Sequence, residues 1–288
     1  MERLIAVAAL TAVFHMINTL AISVRLSGLR TRRLATAISL FNVIFLLATT
    51  ANTVCGFLFG SIVEQAINAG EARAGGVTGS QLISHPAYQE EISGLVWQIR
   101  VIVAAAAAGT LAGAVLIPVF VQFFVQSILV FEKTGSVPQM LAMLIFLPRR
   151  WRRLAAEAGL PWGSLDSITA RRLPIPKTFL VINIIVTGIY TVGVLAAVYA
   201  GALFPDFRTP ATYMSAVVNG VATVLSAAVV DPTAAAITDQ AINGERSEED
   251  VKQMSLYLAV TRFAGTLLAQ AMFIPSAYLI KMAVKFLA

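Results

Sequence analysis

The chain has 288 residues, of which 58% are hydrophobic and 12% are charged, and its formal net charge is +6. Soluble domains average about 25% charged residues, so this composition excludes a soluble globular protein and indicates an integral membrane protein. The basic residues gather in short stretches between apolar runs, where they orient a membrane protein, so they do not indicate a nucleic-acid partner. A single cysteine, Cys55, excludes an internal disulfide framework.

Six apolar runs are long enough to cross a bilayer, which takes about 20 helical residues. The predicted spans are Leu4–Val24, Ala35–Val63, Val101–Val130, Thr178–Leu203, Ala211–Asn243 and Met254–Leu287. The first run lacks a small-residue cleavage site, so it is interpreted as a retained helix rather than a signal peptide.

Arginine and lysine near the span ends predict the orientation, because they accumulate on the cytoplasmic side. Loops 25–34 and 131–177 are strongly basic, whereas loop 64–97 is mainly acidic and loop 204–210 is balanced. Both termini are therefore predicted outside the cell. Val137–Leu147 is too short to span and precedes a run of arginines, which predicts an interfacial amphipathic helix on anionic membrane lipids, with a solvated basic loop as the alternative.

Two pairs of similar stretches predict an internal repeat. Gly109–Pro118 is echoed by Gly265–Pro275 with one residue inserted, and Arg30, Thr31, Ser39 and Asn42 are echoed by Arg208, Thr209, Ser215 and Asn219. Because each half holds three spans, the second copy enters the membrane upside down, as in many transporters. The predicted fold is an all-α 3+3 inverted-topology repeat, with repeats at 1–130 and 177–288 and a cytosolic connector at 131–176. Chance similarity of two apolar helices is the alternative.

Polar residues recur at helical spacing in five spans, so in each span they share one face. Together these faces predict a polar cavity inside the bundle, although helix-to-helix hydrogen bonding explains any single stripe. The stripes are Thr11, His15, Asn18 and Arg25; Ser39, Asn42, Thr49 and Thr53; Asn183, Thr187 and Tyr190; Asn219, Thr223 and Ser226; and Arg262, Thr266 and Gln270.

Asp231 lies inside an apolar run, where a carboxylate costs roughly 2.5–3.5 kcal/mol and usually faces a cavity. A position at the cytosolic interface is the alternative. Pro232 directly follows and predicts a hinge, and Pro118 and Pro275 in the repeated motif are predicted as two more. Counting residues from the last cytosolic turn places Asp231 and Arg262 at similar depth, which predicts an ion pair, either permanent or switching.

The sequence predicts neither a metal nor another cofactor. Asp231 and Asp239 have no third acid beside them inside the apolar runs, whereas a metal on a pyrophosphate needs clustered carboxylates. No Gly-x-x-x-x-Gly-Lys-Ser/Thr motif occurs, so direct ATP hydrolysis is not expected.

The order and spacing of several short motifs, rather than any one of them, match a known family. These motifs are Ser23-Val24-Arg25, Gly28, Arg30-Thr31, Ile38–Asn42, Thr50–Asn52, Asn219–Thr223, Val230–Pro232, Thr238-Asp239, Thr261-Arg262 and Gly265–Gln270. On them the chain resembles the Amj family of bacterial lipid II flippases, over nearly its whole length.

The resemblance implies a flippase rather than an enzyme, one that moves lipid II to the outer leaflet of the bacterial plasma membrane for peptidoglycan synthesis. Lipid II carries a disaccharide-pentapeptide on undecaprenyl pyrophosphate. Arginines pair bidentately with phosphate oxygens, so Arg25 and Arg30 are expected to receive the pyrophosphate, with positive-inside anchoring as the alternative.

The full set of candidate transport residues is Arg25, Arg30, His15, Asn18, Asn42, Asn219, Asp231, Arg262 and Gln270. Other functions stay open: a transporter of another anionic lipid or solute, a membrane enzyme acting on a polyprenyl phosphate, and a structural partner of cell-wall synthases. Homo-oligomerisation is also open.

Overall fold

The computed structural model describes residues 1–77, 79–139 and 175–287, and in this part of the chain every regular element is helical. Six helical segments are long and apolar enough to cross a membrane: Glu2–Thr31, Leu34–Arg73, Pro86–Thr134, Lys177–Leu203, Pro205–Ile242 and Glu248–Leu287. The all-α class and the six predicted spans are therefore confirmed. Most of the predicted interfacial helix, Val137–Leu147, lies outside the described residues.

Within the described ranges, nine α-helices form the six segments and the turns between them. They are α1 (Glu2–Leu20), α2 (Ile22–Thr31), α3 (Leu34–Arg73), α4 (Gly79–Ser84), α5 (Pro86–Thr134), α6 (Lys177–Leu203), α7 (Arg208–Leu225), α8 (Asp231–Ile242) and α9 (Glu248–Leu287). A 3-10 turn at Pro205–Phe207 precedes α7, and a π-helical turn at Ser226–Val230 joins α7 to α8.

The helices extend well beyond the apolar runs, so several predicted loop boundaries are wrong. Residues 25–31 belong to α2 rather than to a loop, and α3 continues to Arg73. With 49 residues, α5 measures roughly 70 Å, whereas a bilayer with its headgroups is about 40–45 Å thick. Hydropathy marks where a helix leaves hydrocarbon, whereas backbone hydrogen bonds continue into the headgroups and water.

The alternating helix directions define two ends of the bundle. The basic end holds the turn 32–33, the end of α5 at Thr134, the start of α6 at Lys177 and the turn 243–247. The termini end holds both chain termini and the connections 74–85 and 204–207.

Glycines bring parallel helices into backbone contact in each half. A Cβ at Gly109 of α5 would overlap the carbonyl of Ala12 in α1, and one at Gly113 would lie 2.7 Å from the Met16 carbonyl oxygen. A Cβ at Gly265 of α9 would lie 2.6 Å from the Ile184 carbonyl oxygen of α6. Small residues drive such close packing in membranes, because an apolar side chain gains little by contacting another helix instead of lipid.

The hydrophobic core is continuous at the termini end. One cluster there joins α1, α3, α5, α6, α7 and α9, and its centre includes the fully or almost fully buried Phe59, Ile99, Ala196 and Phe273. This packing closes the bundle at that end.

At the basic end the core is divided. One cluster, around Val121, Phe179 and Met254, joins α2, α5, α6, α8 and α9, and among the described residues α3 does not contribute to it. The other, around Phe41 and Phe124, joins α2, α3 and α5, without α8. The helix α2 packs against both α3 and α8. Among the described residues, neither α7 nor α8 shares a hydrophobic core with α3 at the basic end. We call the space between α3 and the α7–α8 segment, bordered by α2, the groove.

Candidate functional site

Both walls of this groove carry polar side chains. On α3, Asn42, Thr49 and Thr53 are all exposed and follow helical spacing. On the opposite wall, the hydroxyl of Thr223 lies 2.8 Å from that of Tyr190 in α6. Exposed polar side chains therefore lie on helices at both sides of the groove, and the polar cavity inside the bundle stays a prediction.

The charged centre of the groove is an ion pair between α2 and α8. The Arg25 guanidinium lies 3.7 Å from the Asp231 carboxylate, and the two side chains are 23% and 60% exposed, respectively. The Ser226 hydroxyl donates to the same carboxylate at 3.1 Å. Asp231 therefore faces the groove.

The predicted Asp231–Arg262 ion pair is wrong. The Arg262 guanidinium instead donates to the backbone carbonyl of Asn18 in α1. Counting residues along the chain does not give the direction in which each helix turns its side chain. Arg262 still lies within electrostatic reach of Arg25, Asp231 and His15.

Arg262 is therefore a partly buried cation whose only hydrogen bond in the described chain is to that neutral carbonyl. No ion pair within 4.0 Å involves it in the same residues. A guanidinium has five N–H donors, and an arginine within the membrane normally finds a partner or lines a path for ions or substrates. Its remaining donors suit an anion.

Asp231 lies directly after the π-helical turn, which the sequence did not reveal. The Asp231 backbone N–H donates to the Ser226 carbonyl, five residues earlier. Pro232 lacks an N–H, and its ring would clash with the carbonyl four residues before it, so the wider turn relieves that conflict. By contrast, Pro118 and Pro275 lie inside the continuous helices α5 and α9.

Two other predicted transport residues form hydrogen bonds between helices. The Arg30 guanidinium of α2 binds Glu248 of α9 through two nitrogens, at 2.8 and 3.0 Å. The Gln270 side chain of α9 donates to the Arg100 carbonyl of α5 at 2.9 Å, and Arg100 donates back to the Gln270 carbonyl at 3.2 Å. Glu248 and Arg100 were not among the predicted residues. The one sequence signal that could have identified them is their charge at the end of a span.

The remaining predicted residues lie near the groove or between helices. His15 and Asn18 are partly buried in α1, and Asn42 is exposed on α3. The Asn219 amide oxygen is buried against Gly193 and has no hydrogen-bond partner among the described residues. In span four the Asn183 amide donates to the Thr261 hydroxyl at 2.6 Å, so a hydrogen bond between helices accounts for Asn183 in that stripe.

Metal-ligand geometry is absent from residues 1–77, 79–139 and 175–287, in which no three His, Cys, Asp or Glu side chains are placed to hold an ion. The chemistry that these residues offer is that of an anion site: two arginines, one carboxylate and several hydroxyl and amide groups beside an open groove.

Comparison with known proteins assigns the family. The family model for Amj, described as an alternate to MurJ, matches residues 10–284. The chain is 35% identical over 266 residues to the lipid II flippase Amj of Bacillus subtilis (strain 168), which covers 92% of this chain and 91% of that protein. No solved structure matches the chain. With nearly its full length matched in both comparisons, this multi-pass membrane protein belongs to the Amj family.

Proposed function

We propose that this protein flips lipid II from the cytosolic to the outer leaflet of the bacterial plasma membrane, and that it does so without catalysing a reaction. The observation that carries the proposal is the ion pair between Arg25 and the exposed Asp231, at 3.7 Å, with Arg262 close enough to both to interact electrostatically. The name of the Bacillus subtilis relative gives the cargo.

The groove suits a lipid with a large polar head. Its exposed polar walls shelter sugar and peptide from hydrocarbon, and its side opening between α3 and α8 leaves the lipid tail in the bilayer. Arg25 and Arg262 pair with pyrophosphate oxygens, since a guanidinium presents donors in a fork that matches them. Arg30, held by Glu248 at the basic end, joins α2 to α9.

Transport in reconstituted vesicles tests the proposal. Arg25→Gln and Arg262→Gln should each lower the rate of lipid II flipping at least tenfold, because each removes one charge-assisted phosphate contact, worth about 1.5–3 kcal/mol. Arg3→Gln is the matched control, since Arg3 is an exposed arginine at the termini end, and it should flip normally. Wild-type rates in both groove variants would refute this site.

The same vesicles separate the alternative functions. Flipping of other anionic lipids at the same rate would indicate a broader transporter. A chemically altered polyprenyl phosphate would indicate an enzyme, and neither outcome is expected.

The proposed direction of transport requires the basic end to face the cytosol, as the arginine distribution predicts. Single cysteines at the exposed Ser84 and Glu245, in a Cys55→Ala background, test this. Impermeant thiol reagents added to intact cells should label Ser84→Cys and leave Glu245→Cys unlabelled until the membrane is opened. The reverse labelling pattern would show that the basic end faces outside.

A further inference from the structure

Asp231 is the exposed partner of its ion pair. Its side chain is 60% exposed, whereas the Arg25 side chain is 23% exposed. A group approaching through the groove therefore meets the carboxylate before it meets Arg25.

The carboxylate is held weakly. Its closest guanidinium nitrogen is 3.7 Å away, longer than the roughly 2.7–2.9 Å of a good charge-assisted hydrogen bond. Its one hydrogen bond in the described chain comes from the Ser226 hydroxyl. The preceding backbone is a π-helical turn and the next residue is Pro232, so regular α-helical bonds do not fix this point of the chain.

This one carboxylate acts on two arginines. Asp231 attracts both Arg25 and Arg262, while the two arginines repel each other. Asp239, two turns further along α8, also acts on Arg25 but forms no ion pair with it in the described residues. A diphosphate carries more charge than a carboxylate and offers several oxygens, so it satisfies two guanidiniums at once.

We propose that Asp231 is a resident counter-ion: its carboxylate neutralises the arginine site when the groove is empty, and the diphosphate of a polyprenyl lipid displaces it on binding. This inference rests on the proposed function and adds a residue that sets affinity. A counter-ion of this kind weakens binding by competition, and its return to Arg25 drives the anion out. Asp231 is thus an affinity-setting residue that opposes binding and aids release.

The test is direct binding of farnesyl diphosphate to the purified protein in uncharged detergent, beside lipid II flipping in vesicles. Asp231→Asn removes the competing charge and keeps the shape, so the Kd should fall about tenfold while flipping slows. Asp239→Asn is the matched control, because it removes one negative charge from the same helix without touching the ion pair, and its Kd should change less than twofold. Asp231→Glu should keep the wild-type Kd.

Ser226→Ala provides a second measurement if Asp231→Asn folds poorly. It removes only the hydroxyl that holds the carboxylate, so the Kd should also fall, but by a smaller factor than in Asp231→Asn. Weaker or unchanged diphosphate binding in both Asp231→Asn and Ser226→Ala would overturn the inference, since a purely structural pair predicts that result. An equal effect of Asp239→Asn would also overturn it, because it would indicate general charge rather than competition.

The two readouts fail independently. A wild-type protein that binds farnesyl diphosphate but does not flip lipid II would refute the proposed function, and tighter binding by Asp231→Asn would still support the counter-ion. A wild-type protein that flips lipid II, combined with an unchanged Kd in both variants, would refute the counter-ion alone.

Discussion

At the scale of single residues, Arg32 has the backbone conformation that glycine favours. Its φ of 55° places it in the left-handed region at the end of α2, the one non-glycine residue with positive φ in the described chain. The next residue donates its N–H to the Gly28 carbonyl at 2.9 Å, which closes the helix end. A side chain in this conformation costs roughly 1–2 kcal/mol, whereas glycine adopts it freely.

Arg32→Gly should therefore stabilise the protein by about 1 kcal/mol, seen as a higher midpoint of thermal unfolding in detergent. Arg32→Ala is the control, since it removes the same charge but keeps the Cβ, and no comparable gain is expected. Equal gains in the two variants would assign the effect to the lost charge.

The sequence singled out the charged residues of this region, but it did not reveal their partners. Asp231 and Arg262 stood out as charges within apolar runs, and they interact electrostatically in the structure. The partner of Asp231 depends on helix rotation, and the π-helical turn changes that rotation just before it. Arg25 seemed to lie in a loop because α2 continues past the hydrophobic run.

At the scale of helices, the close pair α1 and α5 depends on Gly109. A Cβ there would overlap the backbone carbonyl of Ala12, and backbone cannot rotate away as a side chain can. Gly109→Ala should destabilise the protein by about 1–3 kcal/mol, the usual range for overpacking. Unfolding in detergent measures the change.

Gly94 supplies the control for this substitution. It lies in the same helix, and nothing comes within 4 Å of a Cβ built on it. Gly94→Ala should be neutral or stabilising by up to about 1 kcal/mol, because alanine favours helix over glycine. A loss of stability in Gly94→Ala as large as that in Gly109→Ala would show that crowding against α1 is not the cause.

Span positions followed from hydropathy, whereas the inverted repeat stays a prediction. The two repeated motifs place equivalent glycines, Gly109 and Gly265, against the first helix of each half. This equivalence supports the repeat. The π-helical turn has no counterpart in the first half among the described residues. Apart from Pro232, nothing in the sequence pattern predicted it.

At the scale of the whole molecule, the groove closes at the termini end. There Glu64 of α3 and Arg208 of α7 form an ion pair at 3.0 Å, with side chains 52% and 40% exposed. Arg208 also lines a polar cavity of about 570 Å³ formed with the connections 74–85 and 204–207. An exposed ion pair contributes about 0–1 kcal/mol, so it can break during a transport cycle.

If cargo leaves through this end, α3 and α7 must separate there, and a link between positions 64 and 208 should stop transport. We expect Glu64→Cys with Arg208→Cys, in a Cys55→Ala background, to flip lipid II until a short reversible bifunctional thiol reagent joins the two, and to recover after reduction. Glu64→Cys with Asn68→Cys is the control, since both lie on α3 and their link does not join the two walls. Undiminished flipping by the linked 64–208 protein would place the exit elsewhere, while loss of flipping in both linked proteins would reveal a local effect of the reagent on α3.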